Sequence, residues 1–335
     1  LPTRISIHSS ASERTQRTPL THRRVSIMLV AATVSTPLAA QTSVVPYGYF
    51  DLGIARESGS ATRVDRGFNN WLGLKGEEKL SAGLATTFVL ETRFDLDTGE
   101  QERPKTYWQG ETTVGLKGER FGRLRLGRAM TPLWQNVWEY EPWMNSGFNA
   151  SLAAYQTGRY TSDGIHDAEL GYADFSRFGD ALFYGTPDFY GMNVQTAVKL
   201  ETDAAADSRP VGGAIRYTTG PLRAVFAYER NAHRDDIRLL GARYLIGPTE
   251  IMGSCARNRL RGSEPEDTCV LAGTYTVDRH TIRAGYGHNR LNGDHKLSAG
   301  YVYAFSRNVT TYVDLYQDHR TERYKGMAIG MTYSF

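Results

Sequence analysis

The chain has 335 residues, 40% apolar and 22% charged, with 34 glycines, 20 tyrosines and only two cysteines. Two cysteines exclude a disulfide scaffold and a four-cysteine zinc site, and the composition is neither that of a disordered acidic chain nor that of a polybasic tail. The formal net charge of +3 belongs to the first forty residues: without them the basic residues fall from 39 to 34 and the acidic ones from 36 to 35, a net of −1. The remainder lacks the electrostatic footprint of a nucleic-acid binder, so no nucleic-acid partner is expected.

Residues 1–20 read as a polar N-terminal extension outside the mature protein. Residues 21–40 read as a secretory signal peptide: Arg23-Arg24, an apolar run from Val25 to Val34, then Ser35-Thr36-Pro37-Leu38-Ala39-Ala40. Cleavage after Ala40 would leave Gln41 first, and residues 41–335 as one domain. The apolar-leaning run Ile27 to Ala40 is 14 residues long, short of the ~18–20 a membrane-crossing helix needs.

From Gln41 onward period-two alternation replaces any helical stripe. In Leu84 to Asp95 the positions Leu84, Thr86, Phe88, Leu90, Thr92 and Phe94 alternate with a polar series that ends Glu91, Arg93, Asp95. The same pattern recurs over Gly191 to Leu200, Leu222 to Tyr228, Ile237 to Ile246, His280 to Asn289 and Leu297 to Phe305. It predicts about sixteen strands: 44–56, 67–77, 82–95, 106–117, 122–129, 173–185, 190–201, 211–219, 221–231, 237–246, 249–258, 267–277, 280–289, 295–305, 308–317 and 324–335. Short turns such as Thr219-Gly220-Pro221 and Val277-Asp278-Arg279 alternate with longer polar loops, the layout of an outer-membrane barrel. A secreted β-sandwich also alternates. However, the last strand sets Met327, Ile329, Met331, Tyr333 and Phe335 on one face, and a soluble edge strand that apolar would aggregate.

The chain resembles the general trimeric porins of Gram-negative bacteria, in their proteobacterial branch. The likeness rests on Pro46-Tyr47-Gly48-Tyr49-Phe50-Asp51-Leu52-Gly53-Ile54, on Trp71-Leu72-Gly73-Leu74-Lys75-Gly76-Glu77-Glu78, on Val114 to Arg128, and on the terminal Phe335 with Tyr333 two before it. The resemblance implies an all-β fold, a 16-stranded antiparallel transmembrane β-barrel with a long third loop folded into the lumen. That loop is residues 130–172, rich in Trp134, Trp138, Tyr140, Trp143 and Phe148. It also implies the outer membrane as location and a homotrimer. The implied partners are lipid, lipopolysaccharide and, through Phe335, the barrel-assembly machinery. The function would be passive diffusion of small hydrophilic solutes and ions, with no catalysis, metal or cofactor.

In the family, loop acids face basic residues on the opposite wall. The loop here offers Glu139, Glu141, Asp163, Asp167 and Glu169. The polar strand faces offer Arg93, Arg123, Arg125, Arg177, Arg223, Arg243 and Arg283, because charge facing lipid at mid-membrane costs about 2–4 kcal/mol. The family's basic position on the sixth strand falls on Arg177, but those on the first and second fall on Tyr49 and Trp71, and the one early in the fourth falls near Gly110. The arginine set is therefore thinned, and a weak anion preference is expected if Arg93, Arg125 and Arg177 cluster. Cys255 and Cys269 flank the tip of one predicted hairpin and are a candidate disulfide in the oxidising envelope. Neither Gly-x-Ser-x-Gly nor His-Glu-x-x-His occurs. The competing readings are a substrate-specific channel for oligosaccharides or organic anions, and a plugged or adhesive barrel without transport.

Overall fold

Alternating residues fold as strands when both rows of side chains find a suitable medium and each backbone finds a partner. The computed structural model describes residues 42–80, 83–103, 106–165, 175–202, 206–320 and 322–335, so the extension and signal segment lie outside the described residues. The strands in chain order are β1 (Thr42–Glu57), the short β2 (Arg63–Asp65), β3 (Trp71–Lys79), β4 (Leu84–Arg93), β5 (Thr112–Gly118), β6 (Gly122–Met130), β7 (Arg177–Gly185), β8 (Met192–Lys199) and β9 (Val211–Thr219). They continue as β10 (Leu222–Arg230), β11 (Asp236–Ile246), β12 (Thr249–Arg259), β13 (Glu266–Val277), β14 (His280–Asn289), β15 (His295–Ala304), β16 (Val309–His319) and β17 (Arg323–Ser334). Apart from β2, these are the sixteen strands that the alternation predicts.

Each strand pairs antiparallel with its neighbour in sequence, and the sheet closes where β1 meets β17, from Tyr49 opposite Ser334 to Glu57 opposite Gly326. Phe335 finishes the seam: Gly48 and Phe335 exchange backbone hydrogen bonds of 3.1 Å each. The first half of β1 pairs with β3 and the second half with β17 and β2. The result is an all-β closed barrel.

The two strand faces differ as the alternation requires. Leu72, Leu74, Val114, Leu116, Leu126, Phe226, Leu240, Leu271, Ile282, Leu297, Leu315, Ile329 and Met331 are exposed on one face. The opposite face carries small, polar and charged residues, many of them buried, including Asp51, Arg93, Glu229, Ser254, Lys296 and Asp314. A closed sheet with an exposed apolar exterior is stable in hydrocarbon and unstable in water.

The structure moves three strand starts by four residues or more, the first from 67 to Trp71. The strand expected at 106–117 begins at Thr112, because the side chain of Gln109 is fully buried and donates to the Arg103 carbonyl (3.1 Å). The strand expected from 173 begins at Arg177, and the connection expected at 130–172 is therefore 131–176. Within it lie a helical turn α1 (Pro132–Val137), a 3₁₀ turn (Trp138–Tyr140) and a second helical turn α2 (Ala154–Thr157).

This long connection packs on the face opposite the exposed apolar one. Leu133, Val137, Tyr140 and Tyr160 form one buried cluster with Val225, Ala227, Ile237 and Leu239. Trp143, Leu152 and Tyr155 form another with Met252, Val270 and Ala272. Glycine makes the approach feasible: a Cβ on Gly241 would stand 2.9 Å from the Tyr140 ring, and one on Gly285 would stand 2.6 Å from Leu152.

Cys255 on β12 and Cys269 on β13 are directly opposed, with Cα atoms 4.1 Å apart and sulfur atoms 2.11 Å apart. The protein is expected to take up no maleimide when unfolded without reductant, and two equivalents after reduction. Two equivalents before reduction would show the thiols to be free.

Candidate functional site

Strand parity sets Arg93, Arg123, Arg125 and Arg177 on the covered side of the sheet, spread along one cavity. In β4 the covered positions run Ala85, Thr87, Arg93. In β6 Arg123 and Arg125 share a face, opposite Leu124 and the exposed Leu126. With Glu91 and Glu111 these four arginines line a cavity of about 580 Å³. Its other side is made from the long connection: Trp134, Gln135, Trp138, Met144 and Asn145.

The arginines are held differently. Arg125 pairs with Glu111 at 2.7 Å and lies 5.3 Å over the Phe183 ring. Arg93 is nearly buried and stands 3.7 Å from Glu91, which also accepts a hydrogen bond from the Tyr47 hydroxyl (3.1 Å). Arg177 is buried and donates to Ser176 Oγ (3.0 Å). Arg123 is solvent-exposed and has no ion pair within 4.0 Å among the described residues. Among the described residues, four guanidinium groups against two carboxylates leave this lining with a net positive charge.

Among the described residues, the loop acids Glu139, Glu141 and Asp163 do not line this cavity. Glu139 is buried against the wall behind the loop, paired with Arg216 (2.7 Å) and Arg223 (3.6 Å), while Arg243 donates to its backbone carbonyl (3.4 Å). Arg223 is thereby an anchor for the loop and stands away from Arg93 and Arg177. Glu141 departs further from the expectation that it lines a pore. It is 2% exposed and serves the loop itself, accepting from the N–H groups of Trp143 (3.0 Å), Asn145 and Leu152 (3.5 Å) and from the Ser151 hydroxyl (3.1 Å). Burial raises its pKa above the ordinary carboxylate range, against the pull of those four donors. Asp163 accepts the N–H of Ile165 (3.0 Å) and steadies a turn. Asp167 and Glu169 lie outside the described residues.

Tyr49 stacks on Trp71, with ring centroids 4.7 Å apart and planes 13° apart, and so backs a ring that lines the cavity. Arg283 forms a two-pronged contact with Asp314 (2.8 and 2.9 Å) and donates to the Pro142 carbonyl (3.1 Å), another loop anchor. The sequence reading missed Arg216, although it shares the parity of the buried Ala214. It also missed Glu229, which is fully buried and accepts from Thr131, Ser162 and Tyr160 (3.2 Å), tying two distant parts of the loop to β10.

A family model described as Gram-negative porin matches residues 26–323. The chain belongs to the Gram-negative porins. Outer membrane porin protein 32 of Delftia acidovorans is 26% identical over 320 residues, which cover 86% of this chain and 87% of that protein. Among solved structures, an anion-selective porin from Comamonas acidovorans superposes with a TM-score of 0.73 at 21% identity, covering 88% of this chain and 100% of its own. A trimer form of OmpT from Vibrio cholerae superposes at 0.67 with 14% identity, covering 88% of this chain and 99% of its own. This porin is thus an outer-membrane β-barrel of a Gram-negative bacterium.

Replacing Glu141 by alanine orphans two buried N–H groups and a half-buried one, at about 1–3 kcal/mol for each buried group that stays unsatisfied. Limited proteolysis of Glu141→Ala is expected to cut within 131–165 while the barrel still migrates as a folded species until boiled. An uncut loop would show that Glu141 is dispensable to it.

Proposed function

We propose that the connection 131–176 lies in the lumen and narrows it, leaving a water-filled passage between its Trp134–Trp138 side and the wall built from β3 to β7. Small hydrophilic solutes and ions cross by diffusion, with a preference for anions. The observation that carries this reading is the cavity lined, among the described residues, by Arg93, Arg123, Arg125 and Arg177 against Glu91 and Glu111. A fixed charge in a water-filled constriction acts on passing ions within about a Debye length, ~8–10 Å at ordinary salt, and rings of basic side chains select anions. The anion selectivity named for the Comamonas acidovorans porin points the same way.

The working form we propose is a homotrimer, as in the trimer form of the Vibrio cholerae protein, set among outer-membrane lipid and lipopolysaccharide. Residues 21–40 direct export and are removed, and the C-terminal strand ending in Phe335 is the address read by the assembly machinery. Cys255 and Cys269 are joined in the oxidising envelope.

The test is the zero-current potential of the refolded 41–335 chain in a planar bilayer under a salt gradient. The sign is expected to report anion preference, and Arg123→Ala or Arg177→Ala should lower the anion-to-cation permeability ratio by roughly two- to fivefold, the size expected of one charge at several ångströms in water. A folded, inserted protein with no conductance would make it a plugged barrel, and a cation-selective potential would remove the role given to the arginines.

A further inference from the structure

Charge on the exterior of a membrane barrel is unfavourable at mid-membrane, and the outward rows of β11 and β12 carry it only toward the long-loop end. Arg238 shares the outward row of Leu240 and Tyr244, and Arg257 shares that of Ile251 and Cys255. The register sets Arg238 directly opposite Arg257, and like charges opposed across two strands destabilise the pair. Arg223 and Arg243, on β10 and β11, are also directly opposed but face inward, and there each guanidinium has a carboxylate: Glu139 at 3.6 Å and Glu250 at 2.7 Å. On the exterior, Arg257 is matched by Asp267 (2.8 and 3.0 Å), whereas Arg238 has Asp236 at 3.8 Å, beyond hydrogen-bond reach. The outward pair is one anion short.

These groups line a groove of about 490 Å³ on the outer face. Its floor is Phe226, Leu240 and the Cys255–Cys269 disulfide. Its far lip is Arg290, whose backbone N–H bonds the Asp267 carbonyl (2.9 Å) and whose guanidinium has no ion pair within 4.0 Å among the described residues. Three guanidinium groups against one carboxylate leave this lining, among the described residues, with a net positive charge. Arg238 stands eight residues along β11 from Ile246, at the short turn into β12. That is roughly 27 Å of strand, or about 20 Å of height at the ~35–45° tilt of such barrels, near the upper edge of an apolar band ~25 Å tall. Below the groove the exposed residues are apolar, among them Tyr244, Ile251 and Leu271. At the same end of β8 and β9 the outward pair is Val198 opposite Val211, so the basic patch is local.

We propose, on the footing that the barrel is set among outer-membrane lipid, that this groove holds the headgroup phosphate of one outer-leaflet lipid. The phosphate lies between Arg238 and Arg257 and removes their repulsion, and the planar guanidinium forks suit its oxygens. Arg290 adds to the field from the far lip. The acyl chain runs down over Leu240 and Phe226. A free phosphate ion uses the arginines and leaves the apolar floor unused. A zwitterionic headgroup brings its own ammonium, which the arginines oppose. A second copy of this chain brings its own basic groove to the same face. A lipid carrying a net negative phosphate uses both the charge and the floor.

The test uses native mass spectrometry of the refolded 41–335 chain in detergent. It reads the concentration of bisphosphorylated lipid A at which half the chains carry a lipid, against the same lipid stripped of both phosphates. The acyl chains are identical, and only the phosphates differ. Lipid A is expected to half-saturate at about five- to twenty-fivefold lower concentration, roughly fivefold for each arginine beside an anionic headgroup. Arg238→Gln combined with Arg257→Gln should bring that ratio toward one, and Arg307→Gln at the opposite rim should leave it unchanged. Equal binding of the two lipids by the wild type would overturn the phosphate half of the site. Displacement of lipid A by an equal concentration of inorganic phosphate would overturn the lipid half. An unchanged ratio in the double variant, or an equal fall in Arg307→Gln, would overturn the placement. The wild-type comparison needs no variant to fold. Insertion into vesicles and folded migration until boiling, read on the same samples, report the membrane barrel separately.

Discussion

A peptide group inside hydrocarbon has no water to bond to, and each one left unpaired costs several kilocalories per mole. That constraint sets this architecture. Sixteen long strands satisfy one another in sequence, and the ladder is finished only when β1 pairs with β17. The chain end is part of the solution: Phe335 lends its own N–H and C=O to Gly48, so the seam stays paired up to the last residue. Once the backbone is closed, one side-chain row must meet lipid and the other must not, and the strict parity of Leu271, Ile282 and Ile329 against Val270, Arg283 and Ala328 follows from the pleat.

The covered face has the opposite difficulty. It carries charged groups near one another in a partly desolvated space, and unpaired charge there is unfavourable. Much of it is neutralised by the loop. Arg216, Arg243 and Arg283 find carboxylate or carbonyl partners on residues 139–142, and Lys296 reaches the Asn149 carbonyl (2.6 Å). The loop's own chain reversals need acceptors for their N–H groups, and Glu141 supplies them. Wall and loop therefore satisfy each other, and truncating either side leaves buried polar groups behind.

How much of this was legible varies by element. The strands were, because Leu84 to Arg93 or Met327 to Phe335 cannot alternate so strictly and be a helix. The existence of the long connection was also legible, from the break in alternation after Met130. Its interior was not. Glu139 and Glu141 are two residues apart with the same side-chain chemistry, yet the backbone leaves the 3₁₀ turn at Glu141 for an extended conformation (φ −153°, ψ 149°), and the two carboxylates go separate ways. Glu139 pairs with Arg216, 77 residues on, which no local pattern encodes. The four cavity arginines were legible as a face of their strands. That Trp138 lines the same cavity was not, because it depends on where the loop settles.

That settling divides the molecule. Most of the loop's anchors stand on β9 to β16: Arg216, Glu229, Arg243, Ser254, Arg283 and Asp318, with Gln195 on β8 and Arg66 before β3 adding to them. The cavity wall comes from residues nearer the N-terminus, Phe68 to Arg125, and from Ser176 and Arg177. On the proposed path, rigidity and permeability are written largely on different stretches of the chain. Substitutions in the first stretch can retune what passes without loosening the loop, and substitutions in the second are constrained by the need to hold it. A porin laid out this way can adapt to a new external chemistry by changing a few wall residues while its scaffold stays as it is.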